Sequence, residues 1–591
     1  MDKSRIPKNR RLDLSAARAV STAEFAEALA CVRRSGVADL IEDRLDRRSD
    51  ARAALSVIGL EVAIALRGFE KSHTMTTVEI CRIINAFDSS QLECLGMTRW
   101  REKGCYDRVE ALFGHISKAL EEGWEVIDNS TREVSHFDLQ AYVDAVVRST
   151  VPDQFMRNAA LAVDGTDMPT WGALRSDYGV DCDGDASLDE EEGLDENAEE
   201  GAEGKVASGG DEQKGRRRTA AVLGIGEAGR KIYTKDRDAR AGHQSATNEH
   251  PAGPYVGREL HIGVTVKRST WTDSVSATRF GEGVPALIVT TNLTPAGFHR
   301  GKAVIASLVK AAEEGILKEV LADPGYTLAK GFNFHFPLQQ AGVALVGKSA
   351  AWQRKLKGKV GDAIRLDGQL FSDFIPEELR DLPMPPLGSD METKKPFIEQ
   401  FEKRAAYAFS RHTTPSANGV SRWRCPFCAG RLRSRQLPKT MRNGRKGKLV
   451  KLPTGTSACC SGVFSVGADQ LPMQQAAIFG TTAWWQSWGR RSIVESVNSA
   501  LKGAFTTIER GYVRTMETSR ISILLAHTLA GYNRWALRSW KQMQKYLKEK
   551  TVKAKRTSRE KRLKRFEDLP LAVTASSTNA SPDSKPEPPP D

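Results

Sequence analysis

The chain of 591 residues has little that would place it in a membrane or outside a cell. No run approaches the roughly 20 consecutive apolar residues that a membrane-spanning helix needs. The N-terminus, MDKSRIPKNRRLDLS, is basic and lacks the apolar centre of a secretory signal. Nine cysteines are sparse and odd in number, which argues against a disulfide framework and leaves thiol or metal roles. The ten histidines form no ligand spacing; His335, in FHFP, reads as a packed core residue on an apolar strand. These absences predict a cytoplasmic protein.

What the chain has in excess is positive charge. The formal net charge is +13. Residues 181–203 hold twelve Asp and Glu and no Lys or Arg, so the rest of the chain carries +25. Such an excess points to a polyanionic partner, nucleic acid first, and so to a nucleoid-associated location; an inert basic surface is the competing reading.

At this length several domains are expected. Residues 1–150 read as mainly helical. In TTVEICRIINAF, Thr76 precedes Glu79 at the spacing of a capping box, and Ser90 and Glu93 repeat it in SQLECLGM after a DSS turn. YDRVEALFGHISKALEEG (106–123) has helical apolar spacing. Helix, tight turn and helix in a basic protein fit either a helix-turn-helix DNA reader or a plain bundle. From 155 to 340 the texture becomes strand-like: NAALAVDGTDM, ELHIGVTVK (259–267), PALIVTTNL (285–293), KEVLADPGY (318–326) and FNFHFPL (332–338). A helical stretch at 299–315 suggests a parallel strand pair with a crossover. Within this part, 175–220 is acidic, then Gly-rich, then basic, as in a disordered loop. Residues 341–480, with Pro-rich DLPMPPLGS and four cysteines, read as an inserted subdomain. Residues 481–540 return to helical spacing, and 541–591 turn basic and then into a disordered tail.

Two acids end apolar runs just before turns: Asp164 in LAVDGT and Asp323 in VLADPGY. A carboxylate at a strand end is held by the sheet yet reaches solvent, which suits a metal ligand; a turn-forming Asp is the ordinary alternative. Asp167 is the nearest rival to Asp164, which is preferred because it directly follows the apolar run. In WGRRSIVESVNSALKG the helical step of about 100° per residue places Trp488, Arg491, Glu495 and Lys502 on one side. Val494, Val497, Leu501 and Phe505 fall on a largely opposite side. Taken alone, that pattern fits a solvated, ion-paired helix face.

Taken together, DGT at 164–166, DPGY at 323–326 and W-x2-R-x3-E-x6-K at 488–502 resemble the DDE transposases of the bacterial insertion-sequence type, which carry a Tyr-x2-Arg-x3-Glu-x6-Lys signature. The resemblance covers roughly 155–340 and 480–540. It implies a ribonuclease H-like α/β core, a mixed five-stranded sheet with flanking helices, that brings Asp164, Asp323 and Glu495 together. It also implies two Mg2+ or Mn2+ ions roughly 3.5–4 Å apart on those carboxylates, with Asp164 bridging both. The implied activity is cleavage at element ends and strand transfer into target DNA, in a homodimeric synaptic complex holding the terminal inverted repeats. Arg491 and Lys502 are then expected to hold backbone phosphates. One position departs from the pattern: the signature Tyr is Trp488, which can stack on a base but offers no hydroxyl. Trp484 and Trp485 are either part of the same aromatic wall or core. The alternatives are a catalytically silent, domesticated DNA-binding protein and a ribonuclease H-like nuclease without strand transfer.

A second constellation is Cys425 and Cys428 in CPFC with Cys459 and Cys460 in SACCSG. Two pairs on basic, turn-rich sequence resemble a zinc ribbon, although an adjacent pair is an unusual half-site for one Zn2+.

Overall fold

In the computed structural model the described residues run from 13 to 567, except 16–17, 72–73, 128–131, 178–220, 226–230, 245–251, 268–282, 350–353, 362, 387, 434–462, 469 and 472–474. The expected acidic loop, Cys182, Cys459, Cys460 and the C-terminal tail therefore lie largely or wholly outside them. The chain divides into two compact units, Met1–Leu537 and Arg538–Asp591.

Residues before 150 are mainly helical, as their apolar spacing predicts, with one antiparallel strand pair, Trp124–Ile127 and Val134–Phe137. The most buried helix is α1, Val57–Phe69, whose VIGLEVAIALRGF leaves almost no polar face. Its one acid, Glu61, is fully buried; it accepts from Tyr142 Oη at 2.7 Å and lies 2.7 Å from His527 Nε2. The Thr76 cap forms as expected, its hydroxyl accepting from the Glu79 N–H. The next helix, Ser89–Cys94, is capped two residues earlier than the sequence suggests. Asp88 and Gln91 make the capping box there, in place of Ser90 and Glu93, because the carboxylate of Asp88 reaches the Gln91 N–H at 2.9 Å.

Beyond 158 the chain is a mixed α/β fold whose largest sheet has six strands, with three separate three-stranded sheets among the described residues. Strand β1, Ala159–Pro169, opens with five consecutive buried residues, Ala159 to Val163, the mark of a central strand covered on both faces. It pairs antiparallel with β2, Gly253–Val266, which pairs antiparallel with β3, Ile288–Pro295. On its other side β1 pairs parallel with β4, Leu317–Ala322, and β4 pairs parallel with β5, Ala344–Gly347. The order across the sheet is thus β5-β4-β1-β2-β3, and a further strand, Arg240–Gln244, also pairs with β2 to make six.

Helix α2, Arg300–Glu313, joins β3 to β4 and ends where Gly315 takes a positive φ of 72°. The two strands it connects are not hydrogen-bonded to each other, contrary to the expected crossover pair: β1 and β2 lie between them. FNFHFPL is likewise not a strand. It forms a 3-10 turn, Gly331–Asn333, and a short helix, His335–Gln340. Pro337 is tolerated there because it falls in the first turn, where its missing N–H is not needed. His335 is buried as expected, in the helix, with Nε2 2.9 Å from the Thr327 carbonyl.

The last part brings α3, Thr482–Gly489, and α4, Ser492–Ser499, which runs on into a π-helical turn at Ala500–Ala504. Val494, Val497 and Leu501 are fully buried, and each such side chain contributes about 1.5–3 kcal/mol to holding α4 in place. The chain then enters α5, Thr518–Glu567, 50 residues long, so the helical spacing read up to 540 continues into the basic stretch that follows. Asn533 on α5 bonds the backbone of Ile288 in β3. The second unit is described only from 538 to 567, as the basic continuation of α5. No helix among the described residues is long and apolar enough to cross a membrane.

Candidate functional site

Two strands of the sheet and one helix deliver the acids. Asp164 follows the buried half of β1, opposite Ile262 in β2. Asp323 directly follows β4 and is the N-cap of a single helical turn, Pro324–Thr327, with Pro at N1 setting the turn. Glu495 sits in the first turn of α4. They meet at one guanidinium. Arg491 Nη2 lies 3.8 Å from Asp164 Oδ1 and 3.5 Å from Asp323 Oδ2, while Nη1 pairs with Glu495. Asp164, Asp323 and Glu495, separated by up to 331 positions in sequence, are therefore neighbours in the fold.

The placement of the cations differs from the sequence expectation. Arg491 does not project outward with Lys502 from a single helix face. The α-helical hydrogen bonding is interrupted between α3 and α4, where the N–H groups of Arg490 and Arg491 bond three residues back, and Arg491, the N-cap of α4, reaches the carboxylates. The π-helical turn then widens the step to Lys502, whose Nζ pairs with Asp167 Oδ1 at 2.7 Å. Asp167 is thus a partner of Lys502, and Asp164 the acid beside Arg491. Asn498, one turn after Glu495, donates to Asp164 Oδ2 at 3.3 Å.

Electrostatically the site is crowded with negative charge. Burial raises the Asp164 carboxyl to about 6, with Arg491 opposing and Asp323 and Glu495 adding to the rise. One oxygen of Asp323, Oδ1, is buried with no hydrogen-bond partner, a costly state for a carboxylate oxygen unless a cation or donor uses it. Glu495 is the open member, its side chain 57% exposed. Among the described residues no three His, Cys, Asp or Glu side chains form a ready-made metal cage; the guanidinium stands among these carboxylates. Their chemistry, hard oxygens with one orphan and one open to solvent, fits Mg2+ or Mn2+.

Two features were not anticipated from the sequence. Glu259, the cross-strand partner of Asp167, is buried and holds Arg300 Nε at 2.7 Å; Arg300 Nη1 then lies 3.9 Å from Asp323 Oδ2. Burial lifts the Glu259 carboxyl above its ordinary range, against the pull of Arg300. The signal was an acid opening the otherwise apolar ELHIGVTVK, with an Arg at the start of the next helix. The other is Arg490, 4% exposed, which holds Glu319 of β4 at 2.5 Å and donates to the Lys267 carbonyl. Breaking a buried pair of this kind costs about 3–5 kcal/mol, so it pins the junction before α4 onto the sheet. Its signal was the doubled Arg in GRRS.

The tryptophans divide by burial. Trp484 is core: 1% exposed, with Nε1 donating to the Gly347 carbonyl at 2.9 Å. Trp488 is half-buried, stacked on Trp484 at 5.8 Å and 9°, with the Arg491 guanidinium 5.4 Å from its ring centre. Trp485 carries Lys394 at 5.0 Å over its ring.

In the insertion, Ser410–Arg411, Ser421–Arg424 and Val463–Val466 form a three-stranded antiparallel sheet with its own small apolar core. Cys425 follows the middle strand and accepts from the Cys428 N–H at 3.3 Å. Arg424 pairs with Val463, which places the Cys425 end of one strand beside the chain three residues after Cys460. Comparisons with protein-family models, with curated proteins and with solved structures found no match for this chain.

Proposed function

We propose that the protein is a DNA transposase of the DDE type, cutting the ends of its own element and joining them to target DNA. The observation that carries the reading is the meeting of Asp164, Asp323 and Glu495 at one point of a mixed sheet, in the chain order and motif context of that family. The strand order β5-β4-β1-β2-β3, with β1 to β3 antiparallel and β1, β4 and β5 parallel, supports a ribonuclease H-like core. The net charge outside the acidic segment supports DNA as the partner.

In this reading Asp164, Asp323 and Glu495 hold divalent metal. Bound Mg2+ or Mn2+ supplies an activated water and neutralises charge on the departing 3′ oxygen. The chain's own groups do the rest. Asp323 offers its unpartnered Oδ1. Asn498 orients Asp164 by its hydrogen bond. Lys502, 31% exposed, and Arg491 face phosphates as point charge and fork. Trp488 presents an aromatic face for base stacking in place of a tyrosine hydroxyl. Two copies acting together would hold both ends.

The test is a joining assay. Duplexes carrying the element's precleaved ends, incubated with the protein, Mg2+ and supercoiled plasmid, are expected to yield covalently joined product. Cleavage of intact ends without joining would instead favour a nuclease of the same fold. DNA binding with neither step would favour a silent DNA-binding descendant.

We further propose a structural Zn2+ on Cys425, Cys428, Cys459 and Cys460. The Cys428 N–H donating to the Cys425 sulfur supports it, since such a bond favours the thiolate, the form that binds metal. Protein purified without chelator is expected to carry about one zinc per chain, falling on substitution of Cys425 by Ser; metal analysis without zinc would discard the site.

A further inference from the structure

We infer that Arg491 is an internal counter-cation of the carboxylate cluster, competing with divalent metal for it, and not solely a phosphate ligand. The inference rests on the metal-site reading above. Among the described residues, every ion pair of Arg491 goes to one of the three acids: Asp164, Asp323 and Glu495. The guanidinium side chain is only 14% exposed. A single positive group thus serves three carboxylates on two strand ends and one helix.

The neighbouring cations are committed elsewhere. Arg300 is held through Nε by Glu259 at 2.7 Å and reaches Asp323 only at 3.9 Å; Lys502 is held by Asp167. The seat of Arg491 is tight at Glu495, the exposed acid, and loose at the two aspartates. Its contacts to Asp164 and Asp323, at 3.8 and 3.5 Å, are at or beyond the limit of good hydrogen bonds and act mainly through charge. Its Nε is buried without a hydrogen-bond partner. The guanidinium also lies over the face of Trp488, its carbon 5.4 Å from the ring centre, and tryptophan is the ring that holds a cation best, so Arg491 keeps a partner when the carboxylates are taken. The Trp at the signature position thus gains a role that a phosphate-binding tyrosine would not fill.

The consequence is an exchange. A divalent ion held by the same carboxylates would leave Arg491 with Trp488 as its partner and its fork free for a phosphate. By linkage, a phosphate that captures Arg491 raises metal affinity by the same factor.

The experiment titrates Mn2+ alone, without DNA, into wild-type, R491Q and R491K protein, reading free Mn2+ by electron paramagnetic resonance, with thermal unfolding as the check on folding. R491Q is expected to bind Mn2+ about tenfold tighter, a modest share of one unit charge at this range, and R491K, which keeps the cation, to bind like wild type. Equal or weaker binding by R491Q overturns the counter-cation role while leaving the metal site standing. No binding by any of the three overturns the metal site as well. Should R491Q fail to fold, phenylglyoxal labelling of Arg491 in the wild type, read by mass spectrometry, decides: labelling is expected to rise on adding Mg2+, and an unchanged or lower yield overturns the inference.

Discussion

Replacing Glu495 by glutamine is expected to lower metal-dependent cleavage at the element ends by about 10^3-fold while leaving thermal unfolding within a degree or two of wild type. The first half follows from charge. Glutamine keeps the shape of the side chain and loses the anion, and a metal-held reaction centre loses several kcal/mol of charge stabilisation with it, each 1.36 kcal/mol being tenfold in rate. The second half follows from exposure. The Glu495 side chain is 57% exposed and pairs with Arg491 one turn away on the same helical segment, an arrangement worth well under about 1 kcal/mol to stability. α4 is held instead by Val494, Val497 and Leu501 and by the Arg490–Glu319 pair. The contrast with Glu319→Gln separates role from fold. That change strips Arg490 of its buried partner, so the melting point should drop along with activity. Cleavage by E495Q within twofold of wild type would remove Glu495 from the metal site and with it the three-acid reading.

The apolar runs told where the strands of the sheet lie, because a central strand buried on both faces cannot hide its composition: Ala159 to Val163 is such a run, and an acid at its end is visible by contrast. The meeting of the acids was legible only through the motifs, since β1 and β4 become neighbours through a parallel pairing that spans more than 150 residues and leaves no local trace. Chain direction also misled. FNFHFPL has the aromatic content of a strand, yet Gly331 and Pro337 let it turn and coil. The helix at 489–503 has regular periodicity, yet its α-helical hydrogen bonding breaks at Arg490 and Arg491 and widens at Ala500. The expected Arg–Glu–Lys row is shared between partners from other elements, Arg491 among the three acids and Lys502 at Asp167. Ion pairs between distant elements, such as Glu259 with Arg300, are long-range facts that no local window contains.

Truncation after Leu537 is expected to weaken binding to a nonspecific 30-base-pair duplex strongly and to flatten its dependence on salt. The second unit, as far as 567, is a helix with thirteen Lys and Arg against three Glu, and its described side chains are almost all exposed. A helix of 30 residues is about 45 Å long and can track roughly one face of a duplex over more than a turn. If about five of its cations replace condensed counterions, the slope of log affinity against log salt falls by roughly 4 to 5, at about 0.9 per phosphate, and affinity near 0.1 M salt falls on the order of 10^3-fold. Asn533 and the residues that pack α5 on the first unit precede the cut, so unfolding of the truncated chain should match the full one. That separates this prediction from the fate of the carboxylates: E495Q in the full chain should keep the steep slope while losing cleavage, and the truncated wild type should keep Mn2+ binding while losing the slope. An unchanged slope in the truncated protein would assign the DNA contacts to the basic surface of the first unit and leave the long helix a solvated extension.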